Sequence, residues 1–183
     1  HKMGFRLSDT TEVVLENVRV PQSAVIGEVG QGMPIALNAL NLSRAFISTL
    51  AVGIMQRALD EAVAYAKQRK QFGRRLIDFE MVQQMLADMA IKTEAARVLV
   101  NNCMRQMDAG EMVRKDGAIV KTFVTDAMQE VVSNAVQVLG GYGYSEEYPV
   151  EKLMRDAKIF QIFEGSNQIQ RMTIAKELDR EYQ

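Results

Sequence analysis

A carboxylate with neighbours suited to acid–base chemistry lies within residues 160–171, FQIFEGSNQIQR. Glu164 follows the apolar residues Ile162 and Phe163 and precedes Gly165. Apolar surroundings raise the pKa of a carboxyl group, which makes it a better proton acceptor near neutral pH. A helix that begins just after such a group offers free N–H groups to an anion or a polarised oxygen. We therefore interpret Glu164 as a candidate general base.

The same residues also have a purely structural explanation. Ser166 or Asn167 can cap the helix that follows, and Asn167 with Gln170 has the spacing of a capping box. A glutamate just before a helix is favoured by the helix dipole alone. On this stretch by itself the structural explanation is the commoner one, so the catalytic interpretation depends on the rest of the chain.

Composition limits the other kinds of chemistry. The chain has 183 residues and a formal net charge of −1, which gives no case for a nucleic-acid partner or for membrane insertion. Cys103 is the only cysteine and His1 the only histidine, so we expect no disulfide within the chain and no metal site. The absence of a visible targeting segment favours a bacterial cytoplasmic or a mitochondrial-matrix location. The chain does not begin with methionine, so we expect a piece of a longer protein.

Hydrophobic periodicity predicts a mainly α-helical chain with a short β remnant in front. Within residues 11–16, Thr11, Val13 and Leu15 alternate with Glu12, Val14 and Glu16 at the period of a half-buried strand, so residues 1–29 are interpreted as the terminal strands of a β-domain. Four helical segments are expected after residue 30, with Asp78 capping the second and Pro149 opening a short extra helix. Three long helices and a shorter fourth predict a four-helix up-down bundle over residues 30–183.

Two further motifs are ambiguous when taken singly. The basic cluster at residues 67–73 can simply complement the end of a helix, or Arg69 can grip a pyrophosphate while Phe72 lies against a flat group. The glycines at residues 140–143 follow a helix and not a strand, so they are no dinucleotide fingerprint. They form either an ordinary turn between helices or a backbone that a ligand can approach closely.

In their order along the chain, these motifs resemble one family. They are RKQFG at residues 69–73, QVLGGYG at 137–143, YPVEKLMRDAK at 148–158 and FEGSNQIQR at 163–171. Together they resemble the C-terminal helical half of the flavin-dependent acyl-CoA dehydrogenases. The segment SDTTEVVLENVRVP at residues 8–21 resembles the last strands of the middle β-domain in that family. The resemblance therefore covers nearly the whole chain.

The resemblance implies a function and a set of residues. Glu164 is expected to take the α-proton of an acyl-CoA thioester while hydride passes to N5 of FAD, which gives a trans-2-enoyl-CoA. Asn41, Arg44 and Gly165 are expected to contact the substrate. The expected FAD contacts are Arg69, Gln71, Phe72, Phe79, Gln137, Gly140, Gly141, Ser166 and Gln168. A homodimer or homotetramer is implied, as is an electron-transferring flavoprotein as acceptor, and the 183-residue chain alone is expected to be inactive.

Some positions depart from the family pattern. Asn41 stands where many members carry aspartate, Glu80 where glutamine is usual, and Phe163 where tyrosine is common. Two alternatives stay open beside the dehydrogenase. One is a non-catalytic helical module for oligomerisation or binding, and the other is an acyl-CoA oxidase that passes electrons to oxygen.

Overall fold

The computed structural model describes residues 1–182, most of them in α-helices. The helices are α1 (Gly32–Gln68), α2 (Glu80–Asp108), α3 (Arg114–Leu139), α4 (Pro149–Ala157) and α5 (Asn167–Glu181). Between α1 and α2, β1 (Lys70–Gln71) pairs antiparallel with β2 (Arg74–Arg75) in a small hairpin. The predicted mainly helical fold is confirmed.

Helix α3 is the centre of the bundle and packs against α1, α2, α4 and α5. Its buried residues recur at helical spacing, as at Val124, Val131 and Ala135. Facing them, α1 presents a stripe of buried alanines that includes Ala58 and Ala62. Small side chains let two helices approach closely, and α1 with α3 forms the most extensive contact between two helices of the bundle.

Helix α1 is also long and apolar enough to cross a membrane by length and composition alone. Core helices of water-soluble proteins meet the same criterion, and α1 contributes eight buried residues to this structure. Its first half is different, because Met33, Leu37 and Phe46 remain largely exposed.

The N-cap of the second helix lies one residue later than predicted. Phe79, and not Asp78, occupies the N-cap position of α2, so that prediction is wrong. The Asp78 carboxylate instead accepts hydrogen bonds from the backbone N–H of Arg75 at 3.3 Å and from its guanidinium at 2.8 Å. A nearby guanidinium gives this carboxylate a charged partner that a helix end cannot match.

The strands expected in residues 1–29 are not formed, and the β-structure among residues 1–182 is confined to the hairpin. Residues 9–20 are exposed and make no backbone–backbone hydrogen bond within the described chain. A strand needs a neighbouring strand to pair with, and the alternating pattern alone does not supply one. Only the first few residues dock, where the Phe5 N–H donates to Asp156 Oδ1 at 2.6 Å beside the Phe160 ring.

Candidate functional site

Glu164 lies in a tight turn, residues 163–166, that leads into α5; we call it the Glu164 turn. Both Glu164 and Gly165 have left-handed backbone angles, with φ of +54° and +84°. Such angles are uncommon for a residue with a side chain and cost free energy that the surroundings must offset. A Cβ atom on Gly165 would lie 2.6 Å from Nε2 of Gln170, so the turn requires glycine there.

Side chains from the first residues of α5 form hydrogen bonds with the turn. Gln170 is fully buried, and its Nε2 donates to the carbonyls of Glu164 at 3.0 Å and Gly165 at 2.9 Å. Ser166 caps α5 by accepting from the Ile169 N–H at 3.5 Å, as the sequence predicted. The predicted capping box of Asn167 with Gln170 is wrong, because the Gln170 amide serves the turn carbonyls.

The Glu164 carboxylate faces the first half of α1. Ser43 Oγ donates to Glu164 Oε2 at 2.6 Å, and Arg44 NH1 donates to Asn41 Oδ1 at 2.9 Å. Burial and then the Arg114 guanidinium lower the pKa of Arg44, while the Glu164 carboxylate acts in the opposite direction. The half-buried carboxylate thus has polar neighbours as well as apolar ones. The apolar surroundings expected from the sequence enclose it only in part.

A buried polar network joins the turn to α3. Lys121 is fully buried, and its Nζ donates to the Gly165 carbonyl at 2.9 Å and to Asn167 Oδ1 at 2.7 Å. The Asn167 amide donates in turn to Thr125 Oγ1 at 2.9 Å and to Asp126 Oδ1 at 2.7 Å. Burial lowers the pKa of Lys121 to about 8.

Asp126 continues this network towards the surface. Its carboxylate accepts from Gln161 Nε2 at 2.7 Å and from Arg171 NH2 at 2.6 Å. Burial by itself raises the pKa of Asp126, but the hydrogen bonds from Arg171, Gln161 and Asn167 outweigh it and lower that pKa. A cleft of about 520 Å³ opens beside these groups and is also lined by the predicted cofactor residues Ser166 and Gln168.

A second cleft, of about 700 Å³, lies between the hairpin and the end of α3; we call it the hairpin cleft. The structure brings five predicted cofactor residues together on its walls, namely Arg69, Gln71, Gln137, Gly140 and Gly141. A Cβ atom added to either glycine would meet no atom within 4 Å, so the backbone there is open to a ligand. The Arg69 guanidinium lies 5.7 Å from the Tyr142 ring centroid and forms no ion pair within residues 1–182.

Two predicted cofactor residues lie near the hairpin without lining the hairpin cleft. Phe72 is 92% exposed at the hairpin turn, with a φ of +50°. The Phe79 ring is covered by the Arg74 guanidinium, which lies 3.9 Å from its centroid. The two clefts share no lining residue, so the predicted cofactor contacts fall into two separate groups.

Three residues whose side chains donate hydrogen bonds to the Glu164 turn were missed in the sequence. Ser43 lies inside the segment of residues 41–44 that was singled out, but a serine in a helix carries no signal of its own. Lys121 shares a helical face with Val124 and Met128 of α3, so a lysine on an apolar stripe was the available sign. Gln170 was noted only for its capping-box spacing.

Comparison with known proteins gives concordant results. The family model described as "Acyl-CoA dehydrogenase, C-terminal domain" matches residues 30–178. The chain is 48% identical over 180 residues to "Probable acyl-CoA dehydrogenase FadE25" of Mycobacterium tuberculosis, an alignment that covers 98% of this chain and 46% of that protein. It is 42% identical over 175 residues to "Caffeyl-CoA reductase-Etf complex subunit CarC" of Acetobacterium woodii, covering 96% of this chain and 46% of that protein.

A solved structure agrees with the sequence comparisons. Butyryl-CoA dehydrogenase from Megasphaera elsdenii superposes on the chain with a TM-score of 0.94 at 44% identity. The superposition covers 97% of this chain and 46% of that one. The chain therefore spans about half the length of the relatives that it matches.

Proposed function

This chain belongs to the acyl-CoA dehydrogenase family, and we propose that the protein carrying it converts an acyl-CoA thioester to a trans-2-enoyl-CoA. The observation that carries the proposal is the Glu164 carboxylate, held beside Ser43 on a turn with left-handed backbone angles. Functional residues are commonly found on strained turns of this kind, because many surrounding contacts hold the backbone and fix the direction of the side chain.

Glu164 acts as the general base in this proposal. It takes the α-proton while the α-carbon keeps the bonding electron pair, hydride leaves the β-carbon, and the C=C bond forms between them. The backbone N–H groups of Glu164 and Gly165 have no backbone acceptor within residues 1–182 and can donate to the thioester oxygen. Donors aimed at that oxygen stabilise the negative charge that develops on it as the proton departs.

The residues on the hairpin cleft fit one end of a flavin dinucleotide. Arg69 offers a guanidinium without a carboxylate partner, which suits a pyrophosphate, and Gly140 with Gly141 leaves open backbone for a large ligand. Ser166 and Gln168 line the cleft beside the Glu164 turn and are assigned to the reacting end of the same cofactor type. When bound, FAD supplies the hydride acceptor at its N5 position.

The substrate contacts are assigned to the side of the turn that faces α1. Arg44 is partly buried, and its Nε has no hydrogen-bond partner in the structure although it is shielded from solvent. Together with Asn41 it can bind polar atoms of the acyl-CoA near the carboxylate. Gly165 lets the thioester approach the turn without a side chain in the way.

The reverse reaction is a second candidate, and a specific similarity favours it. One relative at 42% identity is named as a subunit of a caffeyl-CoA reductase–Etf complex. A protonated Glu164 can return the proton to the α-carbon, since the acid of one direction is the base of the other. We propose an electron-transferring flavoprotein as the electron partner in either direction.

We also propose that the protein forms a homodimer or homotetramer. Apolar side chains stay largely exposed on the first half of α1, among them Leu37 at 53% and Phe46 at 53%. Exposed apolar patches of this kind are typical of protein–protein interfaces.

The proposal is tested with the purified protein and a panel of thioesters from butyryl- to palmitoyl-CoA. We expect bleaching of bound flavin absorbance under anaerobic conditions with at least one thioester, and a product two mass units lighter by mass spectrometry. Protein that binds FAD but is bleached by none of them would contradict dehydrogenation. Protein that binds neither FAD nor acyl-CoA would support the non-catalytic binding module instead. Rapid oxygen consumption during turnover would identify an oxidase.

A further inference from the structure

Lys121 is the largest fully buried side chain among residues 1–182. It lines neither the hairpin cleft nor the cleft beside Asp126. None of the ion pairs within that part of the chain includes it. Removing an ammonium group from water without a direct ion pair destabilises a protein. A methionine of similar length would fill the same space without that penalty, so packing alone does not account for the lysine.

The hydrogen bonds of Lys121 end at the Glu164 turn. Its Nζ donates to the Gly165 carbonyl at 2.9 Å and to Asn167 Oδ1 at 2.7 Å, so it joins the turn to the first residue of α5. Gln170 also donates to the Gly165 carbonyl, but Gln170 belongs to α5 and moves with the turn. Lys121 belongs to α3, and among residues 1–182 it is the only side chain outside α5 that donates a hydrogen bond to the carbonyls of Glu164 and Gly165.

We propose that Lys121 is a positioning residue for Glu164, a proposal that rests on the assignment of Glu164 as general base. By fixing the Gly165 carbonyl to α3, Lys121 keeps the left-handed turn in place against the core. The carboxylate then stays at Ser43, which lies on a different helix, α1. Three helices thus meet at one turn, and Lys121 sets the position of the turn relative to the other two.

The test uses the protein with bound FAD and measures the exchange of the substrate α-hydrogen into D₂O by mass spectrometry. Lys121→Met removes the donor and keeps the length of the side chain. Lys115→Met makes the same chemical change on the same helix, at a residue that pairs with Glu181 at the opposite end of α5 from the turn. We expect Lys121→Met to slow exchange by about 10- to 100-fold at saturating acyl-CoA, with the KM nearly unchanged, because a base displaced by an ångström loses its alignment.

The outcomes separate this proposal from the proposed function. If Glu164→Gln exchanges as fast as wild type, Glu164 is not the base and the proposed function fails. If Glu164→Gln is slow while Lys121→Met matches Lys115→Met, only the positioning role is overturned. A loss that follows the fraction of folded, flavin-loaded protein, with a normal rate per loaded subunit, also overturns it, because Lys121 is then a packing residue.

A second variant and a structural measurement keep the test decisive. If Lys121→Met yields no folded protein, Lys121→Gln replaces it, since its shorter amide can reach at most one of the two acceptors. We expect a smaller loss of exchange for this variant, and a wild-type rate overturns the proposal. In a crystal structure of either variant, the Ser43–Glu164 contact of 2.6 Å should be longer. An unchanged turn overturns the positioning role independently of activity.

Discussion

The Glu164 turn and the hairpin cleft differ in how the chain supports them. The turn is bound by side chains from three helices, with the buried residues Lys121, Asn167 and Gln170 beneath it. The hairpin cleft instead presents exposed groups, and the Arg69 guanidinium lies beside the Tyr142 ring and the Gln71 side-chain amide without a carboxylate partner among residues 1–182. A turn held this way is preorganised by the chain itself, whereas the cleft gains its contacts only when another group covers it.

This difference indicates what kind of change each region tolerates. Around the turn, a substitution alters the direction of a group that the core has fixed, so effects on rate should exceed effects on binding. At the hairpin cleft, a substitution removes one exposed contact among several, so effects on cofactor retention should be modest. The predictions below test that contrast, from the largest expected effect to the smallest.

Glu164→Gln should give the largest loss. The amide fits the same turn but cannot take a proton, so α-proton removal should slow by about 10²–10⁴-fold, the usual value of a positioned general base. Flavin content should stay at the wild-type level, because the hairpin cleft is untouched. Stopped-flow bleaching of the flavin by acyl-CoA is the measurement, and bleaching at the wild-type rate would show that Glu164 is not the general base.

Gly165→Ala should destabilise the protein more than Gly73→Ala, although both glycines have positive φ, at +84° and +78°. At Gly73 nothing lies within 4 Å of an added Cβ, so only backbone strain of about 1–2 kcal/mol is expected. At Gly165 the new Cβ must also displace the Gln170 amide from two carbonyls, which adds about 1–3 kcal/mol. Urea unfolding measures both variants, and equal losses would show that the turn is no more constrained than the hairpin.

The buried lysine should leave a signature in the pH dependence of stability. The pKa of Lys121 is lowered from 10.5 to about 8 in the folded chain, mainly by burial. Asp126 on its own helix and Glu164 in the turn favour its charged form, while Arg44 on α1 opposes it. Between pH 8 and 10.5 the unfolded chain therefore binds more protons, and the free energy of unfolding rises with pH.

The rise should approach at most roughly 1.4 kcal/mol per pH unit. Lys121→Met should lack this contribution, while Lys67→Met, which changes an exposed lysine near the hairpin, should retain it. Urea unfolding of the three proteins between pH 7.5 and 9.5 is the comparison to make. Parallel curves for all three would mean that Lys121 titrates as an exposed lysine does.

Arg69→Ala should have the smallest effect and should act on the cofactor alone. We expect roughly tenfold weaker FAD retention, because one charge-assisted contact of about 1.5 kcal/mol is lost. Arg69→Lys should also weaken retention, since an ammonium does not reproduce the planar fork of a guanidinium. Lys70→Ala, at the adjacent exposed cation, is the control. Flavin per subunit after gel filtration is the measurement. Full retention in both Arg69 variants would mean that the basic cluster only complements the C-terminal end of α1.

Much of the fold could be predicted because it depends on local patterns. The helical spacing of apolar residues in α3 and the glycine at its C-terminal end, Gly140, mark an element that the structure confirms, whereas Gly73 lies in the hairpin turn and does not end α1, which stops at Gln68. The Ser166 cap was equally local, since a cap bonds to the residues just after it. The expected strands in residues 1–29 and the predicted Asp78 cap depended instead on which partner a group meets in the folded chain. A strand in residues 1–29 needs a second strand to pair with, and the Asp78 carboxylate bonds to Arg75 and not to the N-terminus of α2.

The sequence by itself determined the helices, the family and the identity of the glutamate to which a role can be assigned. Those follow from residue types at fixed separations of a few positions along one chain. Only the tertiary structure decided what surrounds that glutamate. Ser43 and Glu164 are separated by 121 positions, and Lys121 and Gly165 by 44. Contacts over such distances depend on how α1, α3 and α5 pack, and a buried lysine reveals its acceptors only once those helices are placed together.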